Sequence, residues 1–440
     1  MAGVAQGAEC SWERIGLNPD GLRRLMQLTR VRRRTDRPLG RMNMNDDLGA
    51  WLNLAFRWLH VVAGVCWIGA SFYFVWLDNN LRPSVPPREG VKGELWAVHG
   101  GGFYQKQKFL VAPPQMPEHL HWFKWEAYTT WMSGFALLCV LYYWGAPVYL
   151  IDTAKVPLTQ AQAVGTGLGF IFGGLGVYEF LCRSPLARWP RLFAAVWFLI
   201  LTGAAFVLTR LFNDRGAFIH VGAIIGTVMA ANVLLVIIPG QRKAVAAMLA
   251  GRPVDPRFGQ TAKLRSVHNN YMTLPVIFIM ISNHYPIVVS HPLNWLLLAI
   301  LSAAGVSIRH YFMRRHFGHN DHGYLFTGAM LGFIASVVAT QVHPKLVLGP
   351  PPPFATVRTL VDTHCVACHS PQPTHRGFAA PPNGVVFDTP EHIQKYASRM
   401  YDMAVASHAM PLGNEMGMTD AQRAQLGAWI KAGAEIPGRP

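Results

Sequence analysis

Residues 192–238 read LFAAVWFLILTGAAFVLTRLFNDRGAFIHVGAIIGTVMAANVLLVII. Two apolar runs, 192–212 and 217–238, flank a polar break that contains Asn213, Asp214 and Arg215. Each run has the ~20 residues that cross ~30 Å of hydrocarbon as a helix. Inside lipid a spanning segment must satisfy its own backbone polar groups, which a helix does. Outward from this pair the same reading gives apolar segments at 51–77, 128–150, 162–182, 271–290, 293–312 and 324–343. The fold class is therefore all-α, a polytopic membrane bundle of about eight spans. The sixth span, 271–290, is the weakest, broken by Pro275 and by Ser282-Asn283-His284.

Composition agrees with a bilayer: 51% of residues are hydrophobic, only 14% are charged, and Trp and Phe number 14 and 24. The net charge of +16 raises the question of nucleic acid. The cations fall between apolar spans rather than along one stripe, so they read as topology signals and no nucleic-acid partner is expected. Loops one, three, five and seven carry six, three, six and three Lys or Arg, against one, two and none in loops two, four and six. That bias of 18 to 3 puts the odd loops in the cytoplasm and both chain ends outside. Residues 1–43 conflict with it, because nine Arg precede the first span. They are expected to be a disordered basic segment or a misassigned start, with the working chain beginning at Met42 or Met44.

A transmembrane domain is expected over 44–348, followed by a stiff spacer at 349–353, Gly-Pro-Pro-Pro-Pro, and a small soluble domain over 354–440. That domain opens with Cys365-Val366-Ala367-Cys368-His369, the C-x-x-C-H signature of c-type heme attachment. Two thiols three residues apart reach the two vinyl groups along one heme edge, and His369 turns its imidazole to the iron. The competing readings are a thioredoxin-like redox pair and half a zinc site. No second Cys pair completes a zinc site, and a redox pair gives no reason for the following His. The sixth iron ligand is expected to be a later Met, chosen among Met400, Met403, Met410, Met416 and Met418. Met410 is preferred because Pro411 ends the preceding helix and frees a loop to carry the sulfur. Thr419-Asp420 then caps a last helix through Leu426, Trp429 and Ile430. The order resembles class I cytochromes c, so one covalent heme c is expected, with Cys365, Cys368, His369 and Met410 as its residues and His369 and Met410 on the metal. Heme c is attached outside the bacterial cytoplasm, in agreement with the charge count.

Polar side chains within the spans are expensive and mark candidate function. His60, Glu179, His220, Asn232, His268, Asn269, Asn270, Asn283, His284, His310 and His343 form this set. Singly, each is as well read as a helix-end or interhelical contact. Paired histidines on facing spans could instead ligate a buried b-type heme. Loop one mixes aromatics, Lys, His and a Pro-Pro turn between Val98 and Trp131. It reads equally as an amphipathic surface stretch and as a pocket wall for a planar anion, with Lys106 or Lys108 for charge.

Four stretches of the membrane half carry a resemblance to the integral-membrane, cytochrome c-containing urate hydroxylases (urate oxidases) of bacteria. They are RWLHVVAGVCWIGASFYFVWLDN at 57–79, GGGFYQKQKF at 100–109, PEHLHWFKWEAYTTWMSG at 117–134 and SVHNNYMTLPVIFIMISNHYP at 266–286, joined by DTHCVACH and HAMPLGNEMGMT in the tail. The resemblance covers roughly 44–435. It implies oxidation of urate to 5-hydroxyisourate, with electrons passed to a cytochrome c or respiratory-chain acceptor, in the bacterial inner membrane with the cytochrome domain on the periplasmic side. Within that reading His60, His121, Glu126 and His268 are the candidates for proton transfer. The alternative is a membrane-anchored electron-relay cytochrome with no substrate of its own, for which one span would suffice.

Overall fold

The apolar segments close into helices because each exposes side chains suited to lipid and buries a narrower face against its neighbours. In a computed structural model of the chain, residues 44–436 are described, apart from 112, 317, 342–345, 376 and 379. Six helices among them are long and apolar enough to cross a membrane: α1 (Leu48–Asn79, its helix beginning at Met44), α3 (Gln160–Arg183), α4 (Pro190–Leu211), α5 (Asp214–Leu249), α7 (Asn294–Arg315) and α8 (His322–Gln341). Of the two remaining expected spans, 128–150 falls on α2 (Trp125–Leu138), which runs on as a wider π turn over Cys139–Trp144. The other, 271–290, is not one helix: α6 (Pro256–Ser282), with Pro275 in its interior, ends at Ser282, and a separate turn follows at Pro286–Val289. α6 falls short in hydropathy for a definite reason. Its buried face carries Arg265, Asn269, Asn270 and Thr273, and these look inward rather than at lipid.

α5 is the axis of the bundle: 56% of its most apolar stretch is buried in the protein, against 6% for α1. Phe218, Ile224 and Val228 of α5 pack with Ile171 and Tyr178 of α3, Leu208 of α4 and Ile279 of α6 in the main core. Trp58, Val65, Phe180 and Leu199 are exposed on the outer faces, as a bilayer-facing surface requires. At Asn232–Ile237 α5 widens into a π turn, a feature frequent at functional sites.

Loop one contains the departure from helix, an antiparallel hairpin of β1 (Val91–His99) and β2 (Gly102–Phe109). Gly100 and Gly101 between the strands both take positive φ, 57° and 80°, the pair of left-handed residues a tight hairpin turn demands. Lys108 reaches Asp78 at the end of α1 (2.5 Å), and Lys106 lies over the Tyr73 ring. The sequence reads Val98–Trp131 as an amphipathic surface stretch or a pocket wall; its first part, to Phe109, belongs to a hairpin strapped to α1.

The C-terminal domain is three main helices, α9 (Phe354–His364), α10 (Pro390–Lys395) and α11 (Asp420–Lys431). Thr419 caps α11 in a reciprocal capping box with Gln422. Val357, Val361, Phe387, Ile393, Leu426 and Trp429 form its separate core. The loop after Met410 rests against the bundle. Gly413, at φ 65°, is so close that a Cβ there would lie 3.3 Å from the Ile151 carbonyl oxygen and 3.5 Å from that of Val148. Only a residue without a side chain gives both the left-handed turn and the backbone-to-backbone seat.

Candidate functional site

The residues expected to bind heme come together by local geometry. α9 ends at Cys365, and the amides of Cys368 and His369 both donate to the Cys365 carbonyl (3.2 and 2.9 Å), winding the motif into one turn. Both thiols are free rather than joined. Burial pushes the Cys365 thiol up to about 12 and raises that of Cys368 as well. A thioredoxin-type pair works through a depressed thiol, the opposite direction. His369 Nδ1 donates to the Val385 carbonyl at 3.0 Å. This fixes the tautomer and leaves the Nε2 lone pair for a metal. Burial also lowers the His369 pKa, which keeps the ring neutral.

Among the candidate sixth ligands, Met400 and Met418 are core residues and Met416 is exposed. Met410 sits half-buried in the loop, packed on the same core as Cys365. Its amide donates to the Met403 carbonyl (2.8 Å), and its own carbonyl accepts from Arg423 (2.6 Å). Arg423 is itself buried and also donates to Ala404 and Asn414. The sequence reading missed this brace of the ligand loop. Free thiols on one turn, a neutral imidazole with an available nitrogen and a braced Met loop fit a covalent heme c.

Inside the bundle a second polar assembly joins α3, α5 and α6. Arg265 is 5% exposed and forks onto Glu179 through two bonds of 2.7 and 3.0 Å. Its Nη1 also donates to Asn232 at 2.9 Å. Asn232 donates to Asn269 (2.8 Å) and to the Tyr178 hydroxyl (3.0 Å), which in turn shares a 2.8 Å bond with Nδ1 of His268. His268 stacks on Phe193 with ring centroids 4.7 Å apart. A buried charge left without its partner costs about 3–5 kcal/mol, so the fork and its amides act as one unit. Arg265 had been counted among the loop cations. Its spacing of three and four from His268 and Asn269 was the available sign that it shares their helix face.

The four proton-transfer candidates are not gathered in one place. His268 belongs to the network just described. His60 lies on the seam of α1 and α2, where its Nδ1 is 2.9 Å from the Thr130 carbonyl and 3.3 Å from Ser133 Oγ. Glu126, one turn before Thr130, has a carboxylate oxygen (Oε2) buried without a hydrogen-bond partner. His121 is exposed and meets Phe123 edge-on. The second heme finds no support in the bundle's contacts. His220, His268 and His310 each meet a tyrosine hydroxyl, from Tyr143, Tyr178 and Tyr271. His343 lies outside the described residues.

Membrane-length helices around a buried polar network, continued by a heme-binding domain, define a heme-linked oxidoreductase. Its family follows from comparison with known proteins. The chain belongs to the family described as urate oxidase N-terminal, whose model matches residues 47–340, and residues 354–434 match the cytochrome c family. No curated protein and no solved structure matches it.

Proposed function

We propose that the bundle oxidises urate to 5-hydroxyisourate and passes the electrons through the C-terminal domain to a cytochrome c or a respiratory-chain acceptor. The observation that carries this reading is the union, in one chain, of a urate oxidase family domain with a cytochrome c domain seated on it. An electron-relay cytochrome has no use for the first of these. The overall change is urate plus water to 5-hydroxyisourate, releasing two protons and two electrons. Cys365, Cys368, His369 and Met410 would hold a heme c, which would supply one-electron acceptance and release.

The chain's own residues would handle the protons. His60, held at Nδ1 by the Thr130 carbonyl, offers Nε2 as an acceptor, and Glu126 nearby on α2 has an unpaired carboxylate oxygen. His268 can exchange a proton with the Tyr178 hydroxyl. His121 stands among the aromatics of loop one, where substrate would enter. The seat of the cytochrome domain, by Val148, Ile151 and Asn213, is formed by loops two and four, the charge-poor end. The reading therefore has urate arriving from the cytoplasm, in a bacterial inner membrane, with the heme domain on the periplasmic side.

The test is stoichiometry without oxygen. Purified full-length protein given urate and oxidised cytochrome c should reduce two cytochromes per urate and form no hydrogen peroxide. Peroxide produced one-for-one with urate would reject the route through the heme domain.

A further inference from the structure

Two arginines lie inside the bundle, Arg265 at 5% and Arg309 at 6% exposure, and they are treated very differently. Arg265 is neutralised by Glu179 and surrounded by amide acceptors. Arg309 of α7 has no carboxylate partner among the described residues. Its Nε donates to Asn270 Oδ1, its Nη2 is 4.0 Å from the Met313 sulfur, and one face of the guanidinium lies 4.2 Å above the Phe72 ring. Asn270 of α6 is 2% exposed, and its amide nitrogen has no acceptor at all.

Every unmet need at this junction of α1, α6 and α7 has the same sign. Arg309 offers further N–H groups and a full positive charge, and Asn270 offers an N–H pair. Among the described residues no carboxylate meets Arg309, and no acceptor meets the Asn270 amide nitrogen. A water molecule could satisfy the donors, yet it would leave the charge uncompensated in a dry interior. Phe72 takes up the space on one side of the guanidinium, which favours a ligand that meets the fork along its edge. An edge-on partner with a delocalised negative charge and several coplanar acceptors fits that geometry.

We propose that Arg309 and Asn270 form the anion-binding corner of the urate site, with Phe72 as its aromatic wall. The inference rests on the urate reading above and names residues for it. Urate monoanion presents carbonyl oxygens and ring nitrogens along one flat edge, the complement of this donor set. Lys106, over the Tyr73 ring next along α1, sets a further positive charge at the same end of the helix, whereas Lys108 is neutralised by Asp78. The site is thus distinct from the Arg265 network, whose donors are already spent.

The experiment uses full-length protein in detergent, thermal unfolding with and without urate, and steady-state turnover with oxidised cytochrome c. Arg309→Met removes an uncompensated buried charge. Its unliganded unfolding temperature should hold or rise, while the upward shift given by urate disappears and KM for urate increases at least tenfold. A structural arginine would behave oppositely, with a lowered unfolding temperature and an intact urate shift, and that result overturns the proposal. If the Met variant does not fold, Arg309→Lys decides: the charge stays and the fork is lost, so KM must still rise, and an unchanged KM overturns the proposal. Loss of bound anionic phospholipid with the urate shift retained would assign the corner to a lipid headgroup and overturn it too. Wild-type protein that binds urate without oxidising it, and loses binding in the variant, would sink the reaction and leave the corner standing.

Discussion

The C-terminal domain and the bundle solve the problem of holding chemistry in opposite ways. The domain writes its site along the chain. Cys365, Cys368 and His369 fit in one turn, and the only distant residues, Met410 and Arg423, are brought in by a loop and its brace. The bundle scatters its site across helices. Glu179, Asn232 and Arg265 meet from α3, α5 and α6 in one buried network, and the proposed anion corner of Phe72, Asn270 and Arg309 is drawn from α1, α6 and α7. A covalently attached heme would require neighbouring residues, because two thioethers and an iron ligand must reach one small ring. Recognition of a dissociable ligand has no such demand, so packing rather than sequence distance decides who meets whom.

The comparison breaks most visibly if the contiguous site is removed. Cys365→Ala combined with Cys368→Ala should abolish urate turnover, measured by cytochrome c reduction. The bundle, with its separate core, should still unfold cooperatively and still show a urate-dependent thermal shift. Full activity in this variant would mean that the two regions are not in series. A smaller effect should follow from breaking the scattered network. Glu179→Gln leaves Arg265 without its counter-charge and should lower bundle stability by about 3–5 kcal/mol, read from the unfolding transition in detergent. Replacing both partners by Leu and Met should recover much of that loss, since the network's cost comes from the orphaned charge. The mildest change sharpens the ligand loop. Met410→Ala should remove the Met–iron absorption band and lower the heme potential while the heme stays covalently attached. Met416→Ala, at an exposed position, should leave both unchanged.

This contrast also explains how much the sequence disclosed. The C-x-x-C-H turn, the Met-Pro loop and the capped last helix could be read directly, since each is local. Hydropathy outlined the bundle but was weakest at 271–290, broken by Pro275 and Ser282-Asn283-His284, and it missed the start of α6, whose Arg265, Asn269 and Asn270 are polar yet face inward. Arg265 and Arg309 were counted with the loop cations, although both are buried. A charge at a span's edge looks the same in sequence whether it lies in water or folds back into the helices. The hairpin in loop one had legible signs, two glycines between stretches of alternating character, which the aromatic-rich composition obscured. The expected start at Met42 or Met44 concerns residues at or just before the first ones described. What no sequence pattern carried was the pairing of donors across helices, including the Arg423 brace on Met410.

Gly413 fixes more than a contact. With its backbone pressed to the carbonyls of Val148 and Ile151, and only a short proline spacer behind the domain, the electron carrier is a resident of its donor rather than a visitor. Under the proposed reaction, delivery to it needs no search through solution. A one-electron seat serving a two-electron oxidation can take the second electron only after the first has gone. Each turnover then needs two departures, so every urate oxidised calls on the acceptor twice.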